Sequence, residues 1–145
     1  LKQKELMKAN ELRIGNLVKR SQHSNWQERH WGEEVEVGFN EMQLISFEKT
    51  TEWYEPIPLK EGWLLKHGFF VENFDYSIPI SDCKVVWLTL IPQDEECTAY
   101  SVCVTQTDEG ELDQNVFLSD ISYVHQVQNL YFALTGKELE HKEQS

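Results

Sequence analysis

The stretch from Ile121 to Thr135 has the pattern of one complete amphipathic helix. Its apolar residues recur every three or four positions and form a single stripe: Val124, Val127, Tyr131 and Leu134. Ser119–Asp120 can cap the start of this helix, and Gly136 can end it. Such a stripe covers the open face of a sheet, so the rest of the chain must supply one. We therefore predict a C-terminal helix whose whole stripe is buried.

The segments before this helix have the character of short strands. They lie at residues 69–74, 84–91, 99–106 and 115–118. Turn-forming residues fill the links between them, and successive strands joined by short turns form an antiparallel meander. A short helix at residues 60–67, ended by Gly68, is expected to precede this sheet.

The first part of the chain has a strand pattern of its own. Apolar and polar residues alternate over residues 35–39, which predicts a strand. We expect a tight turn near residues 38–41 and then a second strand through Leu44 and Phe47. The Pro-Ile-Pro sequence at residues 56–58 marks the end of this part. The predicted fold class is α+β: a small, barrel-like N-terminal β unit, then an antiparallel β meander packed against a C-terminal helix.

These elements divide the chain into four parts. Residues 1–7 precede a natural-looking start and are expected to be an extension. Residues 8–59 form the N-terminal β unit, and residues 60–136 form the short helix, the sheet and the covering helix. Residues 137–145 are polar and are expected to fray. The 145 residues fit one compact domain or two very small ones.

The net charge of −12 is unevenly distributed. Residues 1–70 contain ten Lys and Arg against eleven Asp and Glu, whereas residues 71–145 contain three Lys against fourteen Asp and Glu. Two interpretations stand: the acidity maintains solubility, or it attracts a basic protein partner and repels nucleic acid. For the second interpretation, the candidate contacts are the acidic residues of two turns: Asp94, Glu95, Glu96, Asp108, Glu109, Glu111 and Asp113.

The sequence lacks the residue patterns of catalytic and metal sites. It contains no P-loop, GxGxxG, GxSxG or HExxH motif. Cys83, Cys97 and Cys103 form neither a CxxC pair nor an even-numbered disulfide framework, which favours reduced thiols in the cytoplasm. No apolar run approaches the ~20 residues of a membrane span. We therefore predict a cytoplasmic protein that is not an enzyme and has no metal and no organic cofactor.

An alternative is nucleic-acid binding by the N-terminal β unit. Trp26 and Trp31 could stack on single-stranded bases while Arg29 contacts phosphates. Lys19 and Arg20 lie nearby in the sequence. Three glutamates in the same stretch offset this positive charge, so direct nucleic-acid binding is the weaker hypothesis.

Three sequence blocks resemble a family of small proteins encoded by Bacteroidetes bacteria, largely in prophages, phages and mobile elements. The blocks are KANELRIGN at residues 8–16, EPIPLKEGWLLKHGF at residues 55–69 and YVHQVQNLYFALTGKEL at residues 123–139. The resemblance brings a genomic setting and no assigned functional residue.

That setting implies action on a bacterial host protein. Small acidic phage proteins without catalytic motifs often act by occupying a host protein, and some inhibit bacterial immunity. CRISPR effectors hold their nucleic acids in strongly basic channels. The specific expectation is an anti-CRISPR type inhibitor that blocks a CRISPR nuclease or its guide-loaded complex. The alternatives are a nucleic-acid-associated accessory protein and a phage assembly component.

Overall fold

The computed structural model describes residues 11–22, 26–42, 53–82, 85–107 and 114–141. The chain divides into two units. The first comprises Leu1–Ile57 and Tyr123–Asn129, and the second comprises Pro58–Ser122 and Leu130–Ser145. The expected extension at residues 1–7 and the last four residues of the expected tail lie outside the described residues.

The first unit contains a three-stranded antiparallel sheet. Its strands, in the order β2–β1–β3, are β1 (Leu17–Arg20), β2 (Glu34–Glu36) and β3 (Tyr54–Glu55). A short 3-10 helix, Glu28–His30, separates β1 from β2 in the sequence. The buried residues of its core are Leu12, Val18, Val37 and Tyr54.

Residues 39–42 are helical, where the sequence predicted a tight turn and a second strand. The N–H of Met42 donates to the carbonyl oxygen of Gly38 at 3.0 Å. The Glu41 carboxylate accepts a hydrogen bond from the Gly38 N–H at 3.0 Å, as a glutamate three residues into a helix does in a capping box. The turn prediction was wrong because this local capping starts a helix. Leu44 and Phe47 lie outside the described residues.

The second unit begins with α1 (Glu61–Lys66), the predicted short helix. It ends in a Schellman motif, in which Phe69 N–H donates to Leu64 O at 3.0 Å and Gly68 N–H to Leu65 O at 3.3 Å. Gly68 has a φ of 91°, which glycine adopts without strain. Leu64 and Phe69 are buried, so the end of the helix is fixed by packing as well as by hydrogen bonds.

A five-stranded antiparallel sheet forms most of the second unit. Its strands lie side by side in sequence order: β4 (Phe70–Glu72), β5 (Asp75–Pro79), β6 (Val86–Pro92), β7 (Tyr100–Gln106) and β8 (Gln114–Ile121). Each strand pairs antiparallel with the next. This arrangement confirms the predicted meander and the α+β fold class.

Strand β5 was not predicted. The strand expected over residues 69–74 ends at Glu72, and Asn73 and Phe74 turn the chain into β5. Their φ angles are 51° and 70°, and two-residue hairpin turns with positive φ at both positions usually have the sequence Asn-Gly or Asp-Gly. Phenylalanine in place of that glycine removed the signal for the hairpin.

The five-stranded sheet has two chemically different faces. Side chains alternate along each strand, and the register pairs Tyr76 with Leu90 but Ser77 with Thr89. One side, the core face, carries the buried residues Tyr76, Ile78, Leu88, Leu90, Tyr100 and Val102. The other side, which we call the hydroxyl face, carries Phe70, Ser77, Trp87, Thr89, Cys103, Thr105, Asn115 and Phe117.

A β-bulge interrupts the pairing of β8. The register of β8 against β7 shifts between Ser101 and Cys103, so two residues of β8 oppose Val102 alone. Ile121 therefore lies on the core face and is buried, whereas Phe117 lies on the hydroxyl face and is 67% exposed.

The C-terminal helix α2 (Val124–Thr135) begins three residues later than predicted. Ser119 and Asp120 belong to β8, so the prediction that they cap the helix was wrong. Gln126 performs this role, since its Oε1 accepts a hydrogen bond from the Tyr123 N–H at 3.1 Å.

The apolar stripe of α2 is buried over its first half only. Val124 and Val127 are fully buried, as predicted. Tyr131 is half-buried and Leu134 is 40% exposed, so the prediction of a fully buried stripe was wrong for its second half.

Hydrogen bonds join the segment before β1 to the start of α2 within the first unit. Gln128 Oε1 accepts from the Leu17 N–H at 2.8 Å, and Asn16 Nδ2 donates to Asn129 Oδ1 at 2.7 Å. Arg13 Nη2 donates to the Gln128 carbonyl oxygen at 3.0 Å. Asn16 and Gln128 are buried. These bonds connect two of the three blocks that carry the family resemblance.

Candidate functional site

A row of hydrogen-bonded polar groups crosses the hydroxyl face. The Ser77 and Thr89 hydroxyl oxygens lie 3.1 Å apart, as do those of Thr89 and Thr105. The Thr105 hydroxyl donates to Asn115 Oδ1 at 2.8 Å. The row extends over β5, β6, β7 and β8, and mutual hydrogen bonding orders it. The row is therefore a fixed polar band across four strands, in which Thr89 is buried.

A groove of about 630 Å³ lies at the β4–β5 side of the hydroxyl face. Its lining includes Phe70, Glu72, Asp75, Ser77, Trp87 and Thr89. The Phe70 and Trp87 rings meet edge to face, with centroids 6.3 Å apart and planes at 71°. The volume falls in the range of sites that hold small ligands.

Two carboxylates oppose each other in this groove. Glu72 and Asp75 are direct partners in the antiparallel register of β4 and β5. Like charges directly opposite each other on neighbouring strands are destabilising. Burial raises the pKa of the Asp75 carboxyl above its ordinary value, so water does not fully solvate this group. The described lining residues include no basic side chain to balance the pair.

The tip of the β4–β5 hairpin carries an exposed aromatic residue in an unfavourable backbone conformation. Phe74 is 87% exposed and has a φ of 70°. A bulky residue in the left-handed region is strained, and strain of this kind is common at functional positions.

The opposite edge of the sheet is also apolar. Val116, Phe117 and Leu118 follow one another in β8, and all three are exposed. Among the described residues, β8 pairs with β7 alone. A long apolar edge strand is a common site of association with another chain.

Three predicted partner contacts lie in the turn between β6 and β7. Asp94 accepts hydrogen bonds from the Thr98 hydroxyl and, at 2.9 Å, from the Thr98 N–H, and these bonds lower the pKa of its carboxyl. Glu95 and Glu96 are exposed. The hydrogen bonds of Asp94 thus stabilise the turn, whereas the side chains of Glu95 and Glu96 are available to a partner. The remaining four acidic candidates lie outside the described residues: Asp108, Glu109, Glu111 and Asp113.

The three aromatic and basic candidates for nucleic-acid contact differ in their environments. Trp26 Nε1 donates to the Trp53 carbonyl oxygen at 2.7 Å, and the Arg20 guanidinium lies 4.9 Å from the centre of its ring. Its ring therefore contributes to internal packing. Arg29 and Trp31 are exposed.

Neither of the two described cysteines lies in a recognisable reactive site. Cys97 and Cys103 are free thiols, Cys103 is buried, and Cys83 lies outside the described residues. In the part of the chain that the structure describes, no three His, Cys, Asp or Glu side chains group as ligands for a metal ion. The same part contains no helix long and apolar enough to span a bilayer.

His125 is a buried titratable group in the first unit. Among the described residues neither ring nitrogen has a hydrogen-bond partner, and the nearest Glu11 carboxylate oxygen lies 3.7 Å from Nε2. The ring stacks on that of Tyr123 at a centroid distance of 6.0 Å. Burial lowers the pKa of His125, and Glu11 opposes this effect.

The groove residues were not singled out from the sequence. Alternation of Ser77, Thr89 and Thr105 with apolar residues was a visible sign of a polar second face. However, the meeting of Phe70 and Trp87 depends on strand register across β5, which the sequence did not predict.

Comparison with known protein families, curated proteins and solved structures found no match to this chain.

Proposed function

We propose that this chain is a non-catalytic binding protein whose hydroxyl face docks a basic host protein. The observation that carries the proposal is the exposure of Phe70 and Phe117, at 61% and 67%, on one face of one sheet. Trp87 lies on the same face in the strand between them. Single exposed apolar residues are ordinary, but several on one face are typical of a protein contact surface.

Charge supports a basic partner. Residues 71–145, which include all but the first strand residue of the sheet, have fourteen acidic residues against three lysines. Exposed charge of one sign accelerates association with a surface of the opposite sign. Glu95 and Glu96 at the β6–β7 turn are described contributors to this field.

Phe74 adds support from the other edge of the sheet. Glycine would fit its positive φ better, yet a large apolar side chain stands there almost fully exposed. An exposed ring contributes little apolar burial to the isolated protein. A partner that covers the hairpin tip would bury this ring and be stabilised by the apolar contact.

The specific target that we propose is a bacterial immune nuclease of the CRISPR type, or its guide-loaded complex, in the host cytoplasm. Such effectors hold nucleic acid in basic channels, which match an acidic surface. The resemblance to mobile-element proteins supplies the setting, and inhibition by occupation requires no catalytic group.

The test measures inhibition and binding together. A purified guide-loaded CRISPR nuclease from a Bacteroidetes host is mixed with the protein, and target cleavage and affinity are recorded at low and high salt. We expect inhibition by the wild type that weakens as salt screens exposed charges. Phe117→Ser should weaken binding by roughly tenfold, because exposed aromatic contacts dominate many interfaces.

The matched control is Ile14→Ser, which removes an exposed apolar residue of the first unit. It should leave binding and inhibition unchanged. Equal effects of both substitutions would contradict docking by the hydroxyl face. Tight binding of purified RNA or DNA that is lost on Arg29→Gln would support the accessory-protein alternative instead.

A further inference from the structure

We propose that the groove beside Phe70 and Trp87 binds the guanidinium group of an arginine side chain presented by the partner. The inference rests on the proposed function, since it names the chemical group that the partner inserts.

The aromatic side chains of the groove suit a cationic ligand. Phe70 and Trp87, whose ring planes meet at 71°, both line the groove, so its wall is partly aromatic. Cations are attracted to aromatic ring faces, and arginine takes part in such contacts more often than lysine. A planar guanidinium can also stack on a ring, which a compact ammonium group cannot do.

The paired carboxylates provide the second part. Glu72 and Asp75 oppose each other across the hairpin within the same groove. A cation placed between the two carboxylates would be attracted to both. Guanidinium presents its N–H donors in a fixed fork that matches carboxylate oxygens. The charge of the groove therefore selects a cation, and its paired acceptors favour arginine over lysine.

The hydroxyl row provides further acceptors. The Ser77 and Thr89 hydroxyl groups line the groove and share one hydrogen bond with each other. Each hydroxyl oxygen has two lone pairs, so the pair can still accept a hydrogen bond from a ligand. Arginine has five N–H donors and no acceptor, which suits a wall built of carboxylate and hydroxyl oxygens.

The experiment is an NMR titration of ¹⁵N-labelled protein with the peptide Gly-Gly-Arg-Gly-Gly. Its control peptide carries citrulline, which has nearly the shape of arginine but no charge. We expect the arginine peptide to shift the Trp87 indole N–H and the Ser77 and Thr89 amides in a saturable way. The citrulline peptide should leave these signals in place.

The double variant Glu72→Gln/Asp75→Asn tests the carboxylates. Glu34→Gln/Glu36→Gln is its matched control, because it removes the same charge from exposed positions of β2 outside the groove lining. We expect the first variant to weaken peptide binding by at least about tenfold and the second by less than about twofold. Unfolding in urea should show a cooperative transition for both variants, which separates a loss of binding from a loss of fold.

Three results would overturn the assignment: no shift at Trp87, equal shifts with citrulline, or equal weakening by the two double variants. The peptide titration does not involve the host protein, so these results concern the groove alone. Conversely, a host nuclease that binds the groove variant normally but loses affinity for Phe117→Ser contradicts the groove assignment while the proposed function stands.

Discussion

The Oε1 atom of Gln128 accepts a hydrogen bond from the backbone N–H of Leu17 at 2.8 Å, across 111 positions of sequence. Gln128 is buried, and its Nε2 lies 3.4 Å from the Gly15 carbonyl oxygen. One side chain of α2 thus satisfies polar backbone groups at the start of β1. This hydrogen bond links the first half of the helix, through Asn129, to the rest of the first unit.

Replacing Gln128 with alanine should therefore destabilise the protein by about 2–3 kcal/mol. The substitution leaves the partly buried Leu17 N–H without its acceptor, and an unsatisfied donor away from water is costly. Equilibrium unfolding in urea measures the change. Gln27→Ala is the control: Gln27 is exposed and makes no capping bond, so its loss should stay within about 0.5 kcal/mol. Similar values for both would mean that water satisfies Leu17.

The two ends of the α2 stripe should respond differently to truncation. Val127→Ala empties a fully buried position and should cost roughly 1–3 kcal/mol, through lost burial and a cavity. Leu134→Ala removes a side chain that is 40% exposed and should cost less than about 1 kcal/mol. Thermal or urea unfolding measures the loss of stability in each variant. A larger loss for Leu134 would mean that another chain covers the end of the helix in solution.

Stability should fall with acidification in a way that depends on His125. Burial lowers the pKa of His125 below the ordinary 6.5 in the folded state. As pH falls through that ordinary value, the unfolded chain takes up a proton that the folded chain does not, so stability present above it is progressively lost. His125→Phe keeps the ring stacked on Tyr123 and removes the titration.

The measurement is the free energy of unfolding at pH 8 and pH 5.5 for the wild type and for His125→Phe. The wild type should lose more stability than the variant over this interval. An equal loss would show that His125 is protonated equally in both states.

Phe74→Gly should stabilise the free protein by about 0.5–1 kcal/mol. Relief of the left-handed backbone strain, roughly 1–2 kcal/mol, outweighs the added chain entropy that glycine gives the unfolded state. Asn73→Gly is the matched control: asparagine tolerates positive φ, so the gain should be smaller. Urea midpoints compare the two. A loss of stability in Phe74→Gly would show that the ring packs against the protein despite its exposure.

The meander could be predicted because the strands β6, β7 and β8 carry their pattern locally. Val86–Pro92 is almost continuously apolar, and turn residues follow it. The start of α2 could not be placed in this way. Ser119 and Asp120 look like caps, but β7 pairs as far as Ile121, and this long-range pairing overrides the local signal.

The groove could not be predicted because its lining residues are brought together by the register in which the strands pair. Phe70 and Trp87 are far apart in sequence and meet only because β5 lies between their strands. The sequence did not indicate β5, because a bulky residue such as Phe74 is rarely found at this position of a two-residue hairpin turn. The acidic character of the surface, by contrast, follows from composition alone.

The bulge in β8 changes the face of the sheet on which the following side chains lie. Phe117 and Ile121 are four residues apart and in a regular strand would share a face, yet they lie on opposite faces. The bulge absorbs the extra residue of β8: if the strand paired regularly at its present length, the two would share a face, which would force either the phenylalanine into the interior or the isoleucine into water. One strand thus contributes to both the interior and the proposed docking surface, and the bulge between the two residues keeps these contributions on opposite faces.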